Sequence, residues 1–234
     1  MHVAKQVPDE ARLPPLHAVD DVEYPDSDGQ PMADNTKQFD LIVLIKLNID
    51  DAIPDFVGGN ILWYPEKGNP KVRAAPDVLI AIGRPKGDRG SYKQWEEEGV
   101  APQVVFEVLS PGNRFPDMVE KHLFYEKFGV EEYYVIDPDS EQAFGFVREN
   151  ERLVALPSLD GFVSRRVGIR FELGPKLVIR HRDGSAFTSR SEERQRADRA
   201  EQQRAEAEQQ RAEAERRAQA LIDQLRALGV DPTP

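Results

Sequence analysis

The 234-residue chain contains no cysteine, which excludes a disulfide framework, an iron–sulfur cluster, a thiolate zinc site and thiol catalysis together. Histidine is scarce. His2, His17, His122 and His181 are the four, and no pair has metal-ligand spacing, so neither a zinc hydrolase nor a histidine-based triad is expected. No apolar run approaches the roughly 20 residues needed to cross a bilayer, and the stretch from Met1 to Asp20 has no apolar segment of the secretory kind. The expected setting is the cytoplasm, with no membrane partner. Positive charge is also short: 31 Lys and Arg face 42 Asp and Glu, for a formal charge of −11. That is the wrong sign for holding nucleic acid by bulk electrostatics, so any contact with DNA must be local or carried by metal ions that offset carboxylates.

Ser110 lacks the Gly-x-Ser-x-Gly setting of a hydrolase nucleophile. The stretch from Gly83 to Gly90 is glycine-rich and basic but lacks the Gly-Lys-Ser/Thr ending of a phosphate-binding loop. With Arg84, Lys86, Arg89 and Lys93 it reads as a flexible, solvated loop able to touch a phosphate backbone.

Composition shifts abruptly near residue 190. Between Arg190 and Leu228 there is no Gly or Pro, and nine Arg balance nine acidic residues. Nearly all of the net negative charge therefore sits in the body. Ala200, Ala207, Ala214, Leu221 and Leu228 recur every seven residues, and Ala197, Arg204, Arg211, Ala218 and Leu225 form a second set three residues earlier. This is heptad spacing, with a seam that is poor because Ala buries little and Arg occupies two positions. Two readings stand open: a coiled-coil-like helix pairing through Leu221, Leu225 and Leu228, which would make a homo-oligomer, and a solvated single helix. Gly229 and then Pro232 end it. The expected organisation is an extended arm over 1–23, a globular domain over 24–185 and a charged helical tail over 190–228.

Within the body, Asp34, Asn35 and Thr36 offer caps for a helix whose apolar stripe is Phe39, Ile42, Ile45 or Lys46, Ile49 and Ile53. Strands are expected at Phe56–Tyr64, Asp77–Ile82, Gln103–Leu109, Glu132–Ile136 and Ala143–Arg148, with further short ones over 151–181 and a helix over Pro116–Phe128 that stops at Gly129. This order implies a mixed α/β sheet.

Glu107 stands out. It interrupts Val104-Val105-Phe106-Glu107-Val108-Leu109, a run apolar enough for a strand covered on both faces. A lone carboxylate there loses several kcal/mol to desolvation unless a cation or donors meet it. It reads either as a site residue or as a strand-end Glu paired with a structural Arg. Asp77 opens the next most apolar strand after Pro76 and by itself reads as a turn acceptor. If the two strands are neighbours, both carboxylates converge and make a hard-oxygen site suited to Mg²⁺. Asp117, Lys121 and Tyr125 follow at i, i+4 and i+8. The plain reading of the first two is a surface ion pair; the functional one makes Lys121 a cation that steadies a phosphate.

Together, Pro76-Asp77-Val78, Phe106-Glu107-Val108-Leu109-Ser110-Pro111-Gly112-Asn113-Arg114, then Asp117, Lys121, Tyr125 and Gly129-Val130-Glu131-Glu132-Tyr133-Tyr134-Val135-Ile136-Asp137-Pro138 resemble the Uma-two family of restriction-endonuclease-like proteins, within the PD-(D/E)XK nuclease superfamily. The resemblance spans roughly residues 24–180. It implies a restriction-endonuclease-like mixed β-sheet flanked by helices, here with a long C-terminal α-helix, and hydrolysis of DNA phosphodiester bonds with Mg²⁺ or Mn²⁺. Asp77 and Glu107 match the two acidic metal ligands. The superfamily lysine should stand two residues past the second acid, where this chain has Leu109; Lys121 is the matching candidate on the following helix. Asp34 is a third acid by position only. The competing reading is a catalytically silent DNA-binding or assembly module that keeps the carboxylates without using them.

Overall fold

Residues 22–27, 29 and 33–229 are described by the computed structural model. The arm expected over 1–23, with His2 and His17, lies outside the described residues except for its last two, as do Met32 and Pro232. The first element is helix α1 (Thr36–Ala52). Asn35 caps it, its side-chain oxygen accepting the Gln38 N–H at 2.8 Å, which satisfies one of the donors that a helix start leaves free. Ile42, Ile45 and Ile49 form the buried stripe. Phe39, expected on that stripe, is 43% exposed, and buried Gln38 takes its place.

Ten strands and a second helix follow: β1 (Asp55–Gly59), β2 (Leu62–Tyr64), β3 (Val78–Pro85), β4 (Ser91–Lys93), β5 (Val104–Val108), α2 (Phe115–Lys127), β6 (Glu132–Asp137), β7 (Gln142–Glu149), β8 (Arg152–Ala155), β9 (Arg170–Glu172) and β10 (Val178–Arg180). The single strand expected over Phe56–Tyr64 is two strands in two sheets. Asn60 adopts φ 51°, a left-handed turn that strand backbone does not accommodate, so β2 leaves the main sheet and pairs in parallel with β4.

The main sheet has the order β1-β3-β5-β6-β7-β8. Only β5 and β6 run parallel; the other neighbours are antiparallel. Parallel neighbours need a long crossover, and α2 is that crossover. Alternate residues of the central strands serve two cores. Val78, Ile80, Val104, Phe106, Val108, Tyr134 and Ile136 pack with the α1 stripe and with Phe171 and Ile179. Leu79, Ala81, Val105, Tyr133 and Val135 pack with Trp63, Tyr92 and Tyr125 of α2. Being in step with Val105, Glu107 belongs to the α2 side.

The basic stretch from Gly83 to Gly90 is not the free loop expected from its composition. Its first residues extend β3, and its cations are taken. Arg84 and Arg89 both pair with Glu97, at 3.1 and 2.5 Å, holding that buried carboxyl below its usual range through the Arg89 hydrogen bond above all. Lys86 pairs with Asp50, and Lys93 reaches Glu96 at 3.8 Å. Carboxylates of the acidic body neutralise the very residues that composition offered to a phosphate backbone.

The chain divides into two units, Met1–Phe187 and Thr188–Pro234. The second contains α3 (Arg190–Ala227), 38 residues long and so roughly 57 Å. Ser189 and Glu192 close a capping box at its start. None of its residues is buried; Leu221, Leu225 and Leu228 are 59%, 38% and 78% exposed. Among the described residues, no helix is long and apolar enough to cross a membrane.

Candidate active site

The antiparallel register of β3 and β5 pairs Val78 with Phe106, Leu79 with Val105 and Ile80 with Val104. Continued by one step, it sets Asp77 opposite Glu107. Two acids thirty residues apart thus meet at one end of adjacent strands. The Val108 N–H donates to Asp77 Oδ2 at 2.6 Å, locking the first carboxylate to the backbone beside the second. Both are nearly covered, at 8% and 3% exposure.

Glu107 is held on both oxygens from one face of α2. Lys121 Nζ lies 2.6 Å from Oε2, and the Tyr125 hydroxyl donates to Oε1. Lysine and tyrosine stand four residues apart, so successive turns deliver them to the same carboxylate. Tyr125 is itself wedged, its ring stacked on Trp63 at 6.4 Å and edge-on to Tyr133 at 5.0 Å. The surface pair of Asp117 with Lys121 is not the arrangement adopted; the lysine turns inward to Glu107, and Asp117 lines the cavity separately.

The electrostatics follow from burial. Desolvation, and then the neighbouring Glu107 charge, push Asp77 up to about 7 from an ordinary 3.8, against the opposing pull of the Val108 N–H and of Lys121. Burial works to lower Lys121, yet the charge and hydrogen bond of Glu107 outweigh it and hold the ammonium above its usual range. Burial and the Glu107 charge raise Tyr125 well above an ordinary phenol, so it stays a hydrogen-bond donor.

These groups open on a cavity of about 420 Å³ whose wall includes Asp34, Gln38, Asp77, Glu107, Asp117 and Lys121. Asp34 is exposed, and its carboxylate accepts from the Ser110 hydroxyl. Gln38 escaped the reading of the sequence. Its Nε2 donates to the Val108 carbonyl at 2.8 Å while its Oε1 accepts the Asp34 N–H at 2.8 Å, tying α1 to the strand that carries Glu107. The available signal was a polar residue four positions before Ile42, on an apolar stripe. Asp26 is the other omission. Ser91 Oγ donates to it at 2.9 Å, and the Tyr64 hydroxyl donates to the Pro25 carbonyl at 2.7 Å. Those contacts bring Asp26 to the cavity wall; its sequence, Tyr24-Pro25-Asp26-Ser27-Asp28-Gly29, reads as turns. His122 packs against the Tyr133 and Phe146 rings, and His181 bonds Asn48 at 3.1 Å; neither lines the cavity.

The donor set suits a hard cation that keeps much of its water. Mg²⁺ is commonly held by one or two carboxylates, its remaining positions filled by water and substrate oxygens. Two crowded carboxylates, one of them strained toward protonation, are the kind of pair that a divalent ion relieves. Among the described residues, no set of three or more His, Cys, Asp or Glu is grouped to hold a metal; Asp77 and Glu107 are the two carboxylates that the strand register sets side by side.

The fold is thus a mixed α/β sheet that carries two buried acids and an inward lysine to the wall of one cavity. The chain belongs to the Uma2 family, described as "Putative restriction endonuclease", whose model matches residues 19–172. Among solved structures it is similar to one described as a "putative nuclease belonging to DUF820" from Anabaena variabilis ATCC 29413, at 16% identity and a TM-score of 0.43, covering 58% of this chain and 74% of that one. No curated protein matches it.

Proposed function

We propose that the chain is a Mg²⁺- or Mn²⁺-dependent endonuclease that hydrolyses DNA phosphodiester bonds. Asp77 and Glu107 would hold the ion, and Lys121 would be the catalytic cation. The observation that carries this is the opposition of Asp77 and Glu107 across β3 and β5, with Lys121 on Glu107 and all three facing one cavity. Membership of a family described as restriction endonucleases supports DNA as the substrate.

The residues divide the work by chemistry. Asp77, fixed by the Val108 N–H, keeps an oxygen directed by the backbone. Glu107 is aimed by Tyr125, whose buried hydroxyl occupies Oε1 and leaves Oε2 as the exchangeable atom. Lys121, partly exposed at 29% of its side chain, reaches the cavity and offsets charge that accumulates on the phosphate as water adds. A bound divalent ion supplies Lewis acidity and a more acidic water. Gln38 holds the carbonyl of Val108, the residue whose N–H fixes Asp77.

Purified protein, Asp77→Ala and Glu107→Ala are incubated with plasmid DNA and Mg²⁺ or Mn²⁺. The parent is expected to nick or linearise the plasmid, and each variant to lose at least about a hundredfold in rate. Cleavage that survives both substitutions would place the chemistry elsewhere.

We further propose that α3 pairs with its copy in a second chain through Leu221, Leu225 and Leu228, which are uncovered within the monomer. Truncation after Ser189 is then expected to reduce a larger assembly to monomer on size-exclusion chromatography with light scattering. An unchanged mass would remove the helix from assembly.

A further inference from the structure

An acidic cavity must draw in a polyanion, and the cations that composition nominated for that task are tied up elsewhere. Arg84 and Arg89 are held by Glu97, and Arg166 and Arg180 by Glu131 and Glu172. Arg148 is spent on backbone carbonyls of α2 and the residues after it. Two arginines beside the cavity are different: neither Arg73 nor Arg114 has a side-chain partner among the described residues, and both are exposed.

Their positions are specific. A second hollow of about 430 Å³ shares Ala75, Asp117 and Lys121 with the first, so the two adjoin, and Arg73 lines it with Phe124. The Arg73 backbone is not a loose tether. Ala74 exchanges both backbone hydrogen bonds with Trp63, at 2.8 and 3.2 Å, and Trp63 is wholly buried. Asp117 and Glu120 also line this hollow and Lys121 is engaged with Glu107, which leaves Arg73 as its cation without a partner. Arg114 directly follows Asn113, a wall residue of the first cavity, and precedes Phe115, which is 81% exposed. An exposed ring and an exposed guanidinium at consecutive positions offer a nucleic acid a face for base stacking and a contact for phosphate.

We propose that Arg73 and Arg114 grip DNA phosphates outside the scissile position, so that the strand enters the carboxylate cavity along α2. This rests on the endonuclease reading above and adds the residues that hold the substrate. A guanidinium presents a planar fork that matches two phosphate oxygens, and each such contact releases condensed counterions from the duplex. Repulsion from Asp77, Glu107 and Asp117 is then met at the rim by fixed charge.

The test is fluorescence anisotropy with a labelled duplex in Ca²⁺ across a salt series, with plasmid cleavage in Mg²⁺ measured in parallel. The full-length protein is compared with Arg73→Gln, Arg114→Gln and the double variant. Arg152→Gln, on edge strand β8 and away from the cavity, is the control. Each rim substitution is expected to weaken binding several-fold and to reduce the slope of log K against log salt by about 0.9, with the double variant losing about twice that. A structural role alone would lower melting temperature without moving the slope. If the parent cuts DNA while the rim variants keep its slope, or if Arg152→Gln loses as much, the assignment of these two arginines is overturned and the nuclease reading stands. If the parent neither binds nor cuts, both fall.

Discussion

Replacing Lys121 by methionine is expected to tighten Mg²⁺ binding by roughly tenfold while reducing cleavage by at least about a hundredfold. The two effects have one origin. Lys121 Nζ rests 2.6 Å from Glu107 Oε2, the oxygen that Tyr125 leaves free, so an entering cation must displace or share the ammonium and suffers its repulsion. Methionine keeps much of the length of the side chain and removes the competitor. The metal-free variant meanwhile carries a nearly buried carboxylate without its counter-ion, which costs about 3 kcal/mol at the low end for breaking a buried pair. Its melting temperature should therefore fall in EDTA and rise more with Mg²⁺ than the parent's does. Calorimetric titration with Mg²⁺, run beside thermal melts in EDTA and in Mg²⁺, gives both readouts. Metal binding equal to or weaker than the parent's would show that the lysine and the ion do not contend for Glu107.

Asp77→Asn is expected to make the metal-free protein more stable at neutral pH and to abolish cleavage. The Asp77 carboxyl is raised in the folded protein to about 7 from 3.8, so the folded state holds its proton more tightly than the unfolded one. Below about pH 4 both states are protonated and the group has no effect. Between about 4 and 7 the unfolded chain ionises first, and stability falls as pH rises; above 7 both are ionised and the full penalty persists. That penalty is on the order of 4 kcal/mol as an upper bound. An asparagine oxygen can still accept the Val108 N–H, so the variant escapes the penalty without orphaning that donor. Urea unfolding in EDTA should give a stability difference near zero at pH 4 that grows to a plateau above pH 7. With Mg²⁺ the parent should recover most of the gap, because the ion neutralises the charge. A difference independent of pH would mean that Asp77 is not a strained carboxylate.

The legible parts of the fold are those written in local pattern. The apolar run from Val104 to Val108 reads as a fully covered strand and is one, and Glu107 is conspicuous there because desolvation makes a carboxylate costly in such a run. The α2 helix is visible in its spacing and its stop at Gly129, where φ is 91°. The absence of Gly and Pro from Arg190 to Leu228 marks a helix found over Arg190–Ala227. The split of Phe56–Tyr64 was not legible, because an apolar run carries no statement of which sheet each half joins and only the Asn60 turn divides it. Gln38 is illegible for a related reason: a polar side chain on an apolar stripe has meaning only once its partner, the Val108 carbonyl, is known.

By itself, then, the order of residues determined most of the helices and covered strands and the small set of ionisable groups out of place in them, because periodicity and desolvation act within a few residues. Which of those groups face one another was decided by tertiary structure alone. The antiparallel register brings Asp77 beside Glu107, and the helical crossover returns Lys121 and Tyr125 to the same carboxylate. The acidic body pairs away Arg84 and Arg89 while leaving Arg73 and Arg114 uncovered. These outcomes depend on contacts between segments far apart in the chain, where only the packing of whole elements sets the distance between charges.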